Sequence, residues 1–340
     1  MRRCIELALR GRGFVTPNPL VGAVLVYNDR VIGEGWHRRN GEAHAEINCL
    51  QQVAEEDKKY IPLATMYVSL EPCSHYGKTP PCADRLVAEG IAKVVIGCGD
   101  ESAKVNGRGI RKLKECGVEV KVGVLEKECK ELNKYFFRAV AYQRPYITLK
   151  WAQSKAGYLG KVGEKIQLSG KIAQYKVHQL RSEVAAIWVG YRTLINDSPL
   201  LTVRLIEGRS PIRVCYSYAS PDSVASLHFP IPEVASLFFN HHINKLDGAT
   251  EWIKIAPENP LEQILHILYQ RGMNSVLVEG GAGLFAQLIE ADLWDEIIQF
   301  KTPHWLGEGV ATPSIPKGAE VIHRELLHKD ECIVYKNSLH

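Results

Sequence analysis

The chain has 340 residues, 46% of them hydrophobic and 24% charged, with 42 Lys and Arg against 38 Asp and Glu. At about 150 residues per domain this length predicts two domains, and the composition excludes a largely disordered chain. A net charge of +4 spread over the whole chain gives no field that would mark a nucleic-acid or membrane partner. The nine cysteines follow no short-spaced, paired pattern. Reduced thiols in a chain with an ordinary core are therefore expected, not disulfide staples. In the N-terminal MRRCIELALRGRG the apolar residues are interrupted by Glu6 and Arg10, which does not make a secretory signal. No apolar run approaches the ~18 residues of a membrane span, so a soluble, cytoplasmic protein is expected.

In chain order, Cys4 to Arg12 predicts a helix closed by Gly11 and Gly13, and Pro17 and Pro19 mark a loop. Gly22 to Tyr27 and Val31 to Gly35 predict a hairpin turning at Asn28-Asp29. A helix is predicted over Ala43 to Glu56, a strand over Thr65 to Leu70 and a helix over Ala83 to Glu89. Val94 to Cys98 predicts a strand, Gly109 to Cys116 a helix and Val118 to Gly123 a further strand. One helix from Glu126 to Tyr142 then carries the chain to Arg144-Pro145, where the boundary between a 1–144 and a 145–340 domain is placed. Beyond it, strands are predicted at Tyr146 to Trp151, Ala185 to Gly190, Ile212 to Tyr216 and Ser275 to Glu279, with helices at Gly170 to Arg181 and Phe285 to Ile289. Asp292 and Asp295 read as helical, and residues 218–258 carry too many Pro, Ser and Asn to give a pattern. Alternating helices and strands of this kind imply two α/β domains.

Chemistry is concentrated first at His44, Glu46, Cys73 and Cys82. One imidazole and two thiolates make a three-ligand set suited to Zn²⁺, with a fourth position left for water. Zinc lowers the pKa of such a water, and Glu46 can carry its proton to a leaving amine. Cysteines at helix N-termini favour the thiolate, and both are expected there. Zinc nucleobase deaminases carry H-x-E and P-C-x-x-C; here eight residues, Ser74 to Pro81, separate the cysteines. A closed structural site would need a fourth ligand. His75 abuts a ligand, and His37 has no spacing motif behind it.

The second concentration is Val278-Glu279-Gly280-Gly281-Ala282-Gly283-Leu284, a Gly-rich passage from strand to helix that suits a pyrophosphate. Gly281 to Ala286 fits G-x-G-x-x-A. It comes too late in its domain, and without an acidic residue at a following strand end, for a Rossmann fingerprint.

Thr16-Pro17-Asn18-Pro19-Leu20-Val21-Gly22, His44-Ala45-Glu46 and the run LEPCSHYGKTPPC from Leu70 to Cys82 together resemble the RibD family of bifunctional riboflavin-biosynthesis proteins. In that family a pyrimidine deaminase is fused to a reductase. The resemblance implies a cytidine-deaminase-like α/β/α N-terminal domain with a mixed sheet and a dihydrofolate-reductase-like α/β C-terminal domain. It implies zinc-dependent removal of the 2-amino group of 2,5-diamino-6-(5-phosphoribosylamino)pyrimidin-4(3H)-one. NADPH reduction of the ribosyl chain of 5-amino-6-(5-phosphoribosylamino)uracil to ribityl would follow. Glu46 is then the catalytic residue, His44, Cys73 and Cys82 the zinc ligands, and Asn18, His75, Lys78, Thr79 and Asp100 the deaminase substrate contacts. Thr193 to Arg204 resembles the family's Thr-x-x-x-Asp-x-Pro-x-Leu-x-x-Arg segment. It assigns Thr193 and Asp197 to NADPH with Gln153, Ser217, Gly280, Gly281, Ala282 and Gly283. Leu201 and Arg204, with Lys150, Arg181 and Glu279, go to the reductase substrate.

The chain departs from the family at Ser102, Ala156, Lys165 and Gln167. The expected partners are phosphorylated pyrimidines, with no nucleic acid and no membrane, in a homo-oligomer (dimer or tetramer). Two other readings stand beside this one. One is a zinc nucleic-acid base deaminase with an RNA-binding second domain; the other is a non-catalytic, zinc-stabilised nucleotide-binding protein.

Overall fold

The structure, a computed structural model, describes residues 1–74, 80–100, 102, 105–164 and 166–339. The chain divides into two compact units, Met1–Gln143 and Arg144–His340.

The first unit runs α1 (Arg2–Leu9), β1 (Gly22–Tyr27), β2 (Arg30–Trp36), α2 (Ala45–Gln51), a 3-10 segment (Glu55–Leu63), β3 (Thr65–Leu70), α3 (Cys82–Ala88), β4 (Lys93–Cys98), α4 (Arg108–Glu115), β5 (Glu119–Val122), α5 (Glu126–Leu132) and α6 (Lys134–Tyr142). The sheet order is β2-β1-β3-β4-β5. β1 runs antiparallel to both its neighbours, β2 and β3, while β3, β4 and β5 are parallel, which makes the sheet mixed. Asn28 and Asp29 both take positive φ, which is what the two-residue hairpin requires. Strand residues alternate between faces. Ala23, Leu25, Met66, Val68, Val94 and Ile96 pack with Cys49 and Leu50 of α2, Leu86 of α3 and Leu113 of α4. On the opposite face Val24 meets Cys4 and Leu7 of α1, and at the C-terminal ends of β3 and β4 Leu70 and Cys98 meet Cys129 of α5. Helices therefore cover both faces, the expected α/β/α arrangement.

Glycine sets how close α2 lies. A Cβ at Gly35 of β2 would stand 2.3 Å from the Cys49 amide nitrogen and 2.5 Å from the Ala45 carbonyl oxygen. The helix rests directly on the strand, and with it the position of His44 and Glu46 is fixed.

The second unit runs β6 (Tyr146–Gln153), α7 (Lys171–Glu183), β7 (Ala186–Gly190), α8 (Tyr191–Asp197), β8 (Ile212–Tyr216), α9 (Pro221–Ala225), β9 (Ser236–Asn240), β10 (Lys245–Asp247), β11 (Thr250–Lys254), α10 (Pro260–Gln270), β12 (Ser275–Val278), α11 (Ala282–Glu290), β13 (Glu296–Lys301), β14 (Ala319–Leu327) and β15 (Asp330–Asn337). Its ten strands lie in the order β10-β11-β9-β8-β7-β12-β6-β13-β15-β14. From β11 to β13 every neighbour is parallel; β10, β15 and β14 join antiparallel at the two sides. Trp188, Phe239, Phe285, Trp294 and Ile297 are among the residues of the main core.

Three expectations are corrected. The helix over 126–142 is two helices broken at Asn133. The buried Asn133 side chain accepts from the Leu20 amide at 2.7 Å and donates to the Leu20 carbonyl at 2.9 Å. The helix over 43–56 ends at Gln51 and gives way to the 3-10 segment. Asp292 and Asp295 are not helical: Asp292 takes φ 54° past the end of α11, and Asp295 leads into β13. There Asp295 accepts from both Arg144 Nη atoms, at 2.6 and 3.0 Å, and from the Ile147 amide at 2.7 Å. The unpatterned 218–258 stretch contains α9, β9, β10 and β11.

Candidate active site

In the first unit three donor atoms converge. His44 is the N-cap of α2, in extended conformation, and Cys82 is the first residue of α3. His44 Nδ1 lies 3.3 Å from Cys82 Sγ and 3.5 Å from Cys73 Sγ, and all three donor atoms fall within 4.8 Å of one another. Tetrahedral Zn–N and Zn–S bonds imply ligand separations of about 3.6 Å, so the set fits zinc as it stands. Cys73 is not at a helix N-terminus, contrary to expectation; it follows β3 in a turn, and its Sγ accepts from the Cys82 amide at 3.3 Å. A hydrogen bond from Cys82, reinforced by His44, holds the Cys73 thiol well below the ordinary thiol range. Glu46, one residue into α2, is 3% exposed, and burial raises its carboxyl.

The surroundings hold these groups in place. His37 is buried edge-on to His44, with ring centroids 5.3 Å apart. Its Nδ1 lies 3.1 Å from the Ala43 carbonyl, which only a donor can satisfy, so Nε2, 3.1 Å from Asn18 Nδ2, accepts. Burial lowers the His37 pKa, in keeping with this neutral tautomer. The Asn18 amide is thereby oriented.

Glu71, which the sequence reading passed over, is buried. It accepts four backbone N–H groups: Asp100 and Gly107 at 3.2 Å, Gly109 at 3.0 Å and Ile110 at 3.1 Å. It ties the Cys73 turn to the chain between β4 and α4. Asp100 is buried there, and its Oδ1 accepts from the Ser102 amide at 2.8 Å. His75, Lys78 and Thr79 lie outside the described residues.

In the second unit Glu279, at the end of β12, is held between two cations. Arg181 donates to it through Nε at 2.6 Å and Nη2 at 3.0 Å, and Lys150 Nζ stands 3.4 Å away. Burial pushes the Glu279 carboxyl up, but the two cations outweigh it and hold it at about 2. Arg181 also donates to the Thr202 carbonyl at 3.2 Å, and Arg204 Nη1 to Thr202 Oγ1 at 2.8 Å. Thr202 therefore gathers Lys150, Arg181, Arg204 and Glu279 into one cluster with an excess of positive charge. Leu201, expected beside them, takes φ 56° and is packed in the core.

A cavity of about 850 Å³ opens at the C-terminal ends of β7 and β8 and the start of α11. It is lined by Thr193, Asp197, Gly281, Ala282 and Gly283 among the expected cofactor residues. A Cβ on Gly281 would stand 2.7 Å from Thr193 Oγ1, so that position has no room for a side chain beside Thr193, whereas at Gly283 a Cβ would meet nothing within 4 Å. Gln153, Ser217 and Gly280 do not line it. Gln153 Oε1 accepts from Gln299 at 2.7 Å, the fully buried Ser217 accepts from the Ala219 amide, and the Gly280 carbonyl accepts from Gly190. The lining adds residues the sequence reading missed: Tyr191, Arg192, Tyr216, Tyr218 and the 159–164 stretch. Their signal was position alone, at the C-terminal ends of parallel strands, where α/β sheets bind ligands.

Family models match both units: the cytidine and deoxycytidylate deaminase zinc-binding region over residues 1–98, and the RibD C-terminal domain over residues 145–333. The riboflavin biosynthesis protein RibD of Aquifex aeolicus is 35% identical, covering 92% of this chain and 88% of its own length. That of Escherichia coli K12 is 35% identical, covering 94% and 92%. A Thermotoga maritima structure described as a diaminohydroxyphosphoribosylaminopyrimidine deaminase/5-amino-6-(5-phosphoribosylamino)uracil reductase superposes with a TM-score of 0.89 at 34% identity. The match covers 99% of this chain and 97% of that one.

Proposed function

The chain belongs to the RibD family of riboflavin-biosynthesis proteins, bifunctional enzymes that deaminate and then reduce, and we propose which of its residues carry each step. Residues of the first unit deaminate the 2,5-diamino-6-(5-phosphoribosylamino)pyrimidinone. Those of the second reduce the ribosyl chain of the resulting aminouracil to ribityl. The observation that supports the first assignment best is the His44–Cys73–Cys82 triangle with a buried carboxyl one residue into the same helix.

His44, Cys73 and Cys82 would hold zinc, which lowers the pKa of a water at the open fourth position. Glu46 takes a proton from the attacking water on its carboxylate and returns it to the departing amine, and the water's other proton ends on the adjacent ring nitrogen, so that water and N=C–NH₂ become HN–C=O and NH₃. Burial favours the protonated carboxyl, which suits a group that must hold that proton between the two transfers. Asn18, oriented by His37, accepts a base N–H through Oδ1. The reading keeps His75, Lys78, Thr79 and Asp100 as substrate contacts, as the family resemblance implies.

In the second unit Gly281, Ala282 and Gly283, at the start of α11, would hold the NADPH pyrophosphate, with Thr193 and Asp197 beside it; bound there, NADPH would supply the hydride for C1′. Lys150, Arg181 and Arg204 bind the substrate's phosphate and ribose by charge-assisted bonds, and Glu279 holds the first two of them in register. Positioning carries much of the rate. The reading keeps small phosphorylated pyrimidines as ligands, a cytoplasmic setting and a homo-oligomer. Among the described residues no helix is long and apolar enough to cross a membrane.

The test is to supply the diaminopyrimidine ribosyl phosphate and NADPH. Ammonia release should precede NADPH oxidation, and Glu46→Ala should stop the first while the deaminated substrate is still reduced. Ammonia release at the wild-type rate from Glu46→Ala would refute the assignment.

A further inference from the structure

The cavity in the second unit carries a recognition feature that the reductase reading does not use. Strand order places its two ends. β12 is flanked by β6 on one side and β7 on the other, with β8 beyond β7. The Lys150–Arg181–Glu279 cluster lies on β6, α7 and the end of β12, and the Gly281–Gly283 turn follows directly. A dinucleotide whose pyrophosphate sits on that turn, and whose nicotinamide faces the cluster, must lay its adenosine towards β7 and β8.

That end of the cavity has a cation and an aromatic face. Gly190 and Tyr216 are register partners at the ends of β7 and β8, so Tyr191, Arg192, Tyr216 and Tyr218 gather at one edge of the cavity. Tyr218 is 60% exposed. It leans on Tyr216, with ring centroids 4.5 Å apart, and Tyr216 is itself fixed by its hydroxyl, 2.8 Å from His241 Nε2. An open ring backed by a fixed one is a platform for a planar base. Of the two described cations that line the cavity, Lys161 faces Glu164 at 4.0 Å. Arg192 is exposed and faces no carboxylate among the described residues. It is next to Thr193, whose Oγ1 abuts the glycine turn.

We propose that Arg192 is the residue that selects NADPH over NADH, taking the adenosine 2′-phosphate while Tyr218 stacks on the adenine. A guanidinium suits a phosphate dianion through paired, charge-assisted bonds. The same ribose without its 2′-phosphate offers Arg192 nothing ionic. The inference rests on the reading of this cavity as the dinucleotide site.

The test titrates the full-length protein calorimetrically with adenosine 2′,5′-bisphosphate and with 5′-AMP, which differ only in the 2′-phosphate. Wild type should bind the bisphosphate more tightly, with a preference that shrinks as salt is raised. Arg192→Gln should lose roughly tenfold or more of bisphosphate affinity and keep its affinity for AMP, which also reports that the cavity is intact. Tyr218→Ala should weaken both probes by a similar factor, about fivefold or more. A wild-type preference untouched by Arg192→Gln, or lost in Lys161→Gln instead, overturns the inference and leaves the dinucleotide reading standing. Binding of neither probe by wild type overturns both.

Discussion

Replacing Glu279 with glutamine leaves the shape of the second unit's charged cluster and removes the anion that pairs with Arg181 and Lys150. The carboxylate is 6% exposed in its side chain, Arg181 12% and Lys150 14%, so solvent screens the three groups weakly. A shift from 4.5 to about 2 corresponds to about 3 kcal/mol at ~1.4 kcal/mol per pH unit. Removing one partner of a buried ion pair costs about 3–5 kcal/mol, because the other charges are left without a counterion. The two routes agree on about 3 kcal/mol for Glu279→Gln at neutral pH. The sign follows from the depressed folded-state pKa. The contribution is complete above about pH 4.5 and is lost as pH falls towards 2. Urea unfolding of wild type and Glu279→Gln, followed by a probe in the second unit at pH 7 and again at pH 3.5, measures both quantities. The gap should be about 3 kcal/mol at pH 7 and clearly smaller at pH 3.5. A gap below ~1 kcal/mol at pH 7, or one that does not shrink with acid, would refute the reasoning.

Two further outcomes follow from the same kind of argument. Glu71→Ala strands four backbone N–H groups, two of them buried and two half-buried, and should cost the first unit roughly 3 kcal/mol or more in urea unfolding, with a raised KM for deamination. Gly281→Ala puts a Cβ 2.7 Å from Thr193 Oγ1 and should weaken NADPH binding about tenfold or more, read by quenching of cofactor fluorescence.

Much of the first unit was legible because its signals are local. The hairpin at Asn28-Asp29, the apolar strands and the His44-Ala45-Glu46 and Pro81-Cys82 pairs each declare themselves within a few residues. The zinc triangle then follows from residue type and spacing. Glu71 was invisible for the opposite reason: its role is to accept N–H groups from residues 29 to 39 positions further on, and a lone glutamate before Pro-Cys gives no sign of that. The break at Asn133 was hidden in the same way, since its partner is Leu20. In the second unit β9, β10 and β11 are short strands placed by neighbours in the sheet, and their Ser- and Asn-rich connections mask any period. Leu201 matches the family pattern by position, and its side chain packs in the core; a sequence pattern gives no sign of how a side chain is packed. Tyr218 and Arg192 became readable only once strand order had put β7 and β8 side by side.

The central claim is that one chain holds two separable chemistries, the first dependent on a three-ligand zinc. The most direct measurement is the metal content of full-length Cys82→Ser beside its two half-reactions, each assayed on its own substrate. Wild type should carry about one zinc per chain. Cys82→Ser should lose the metal and ammonia release together while still oxidising NADPH with the deaminated aminouracil as substrate. Ammonia release that survives the loss of zinc, or a variant that keeps its full metal content, would contradict the account.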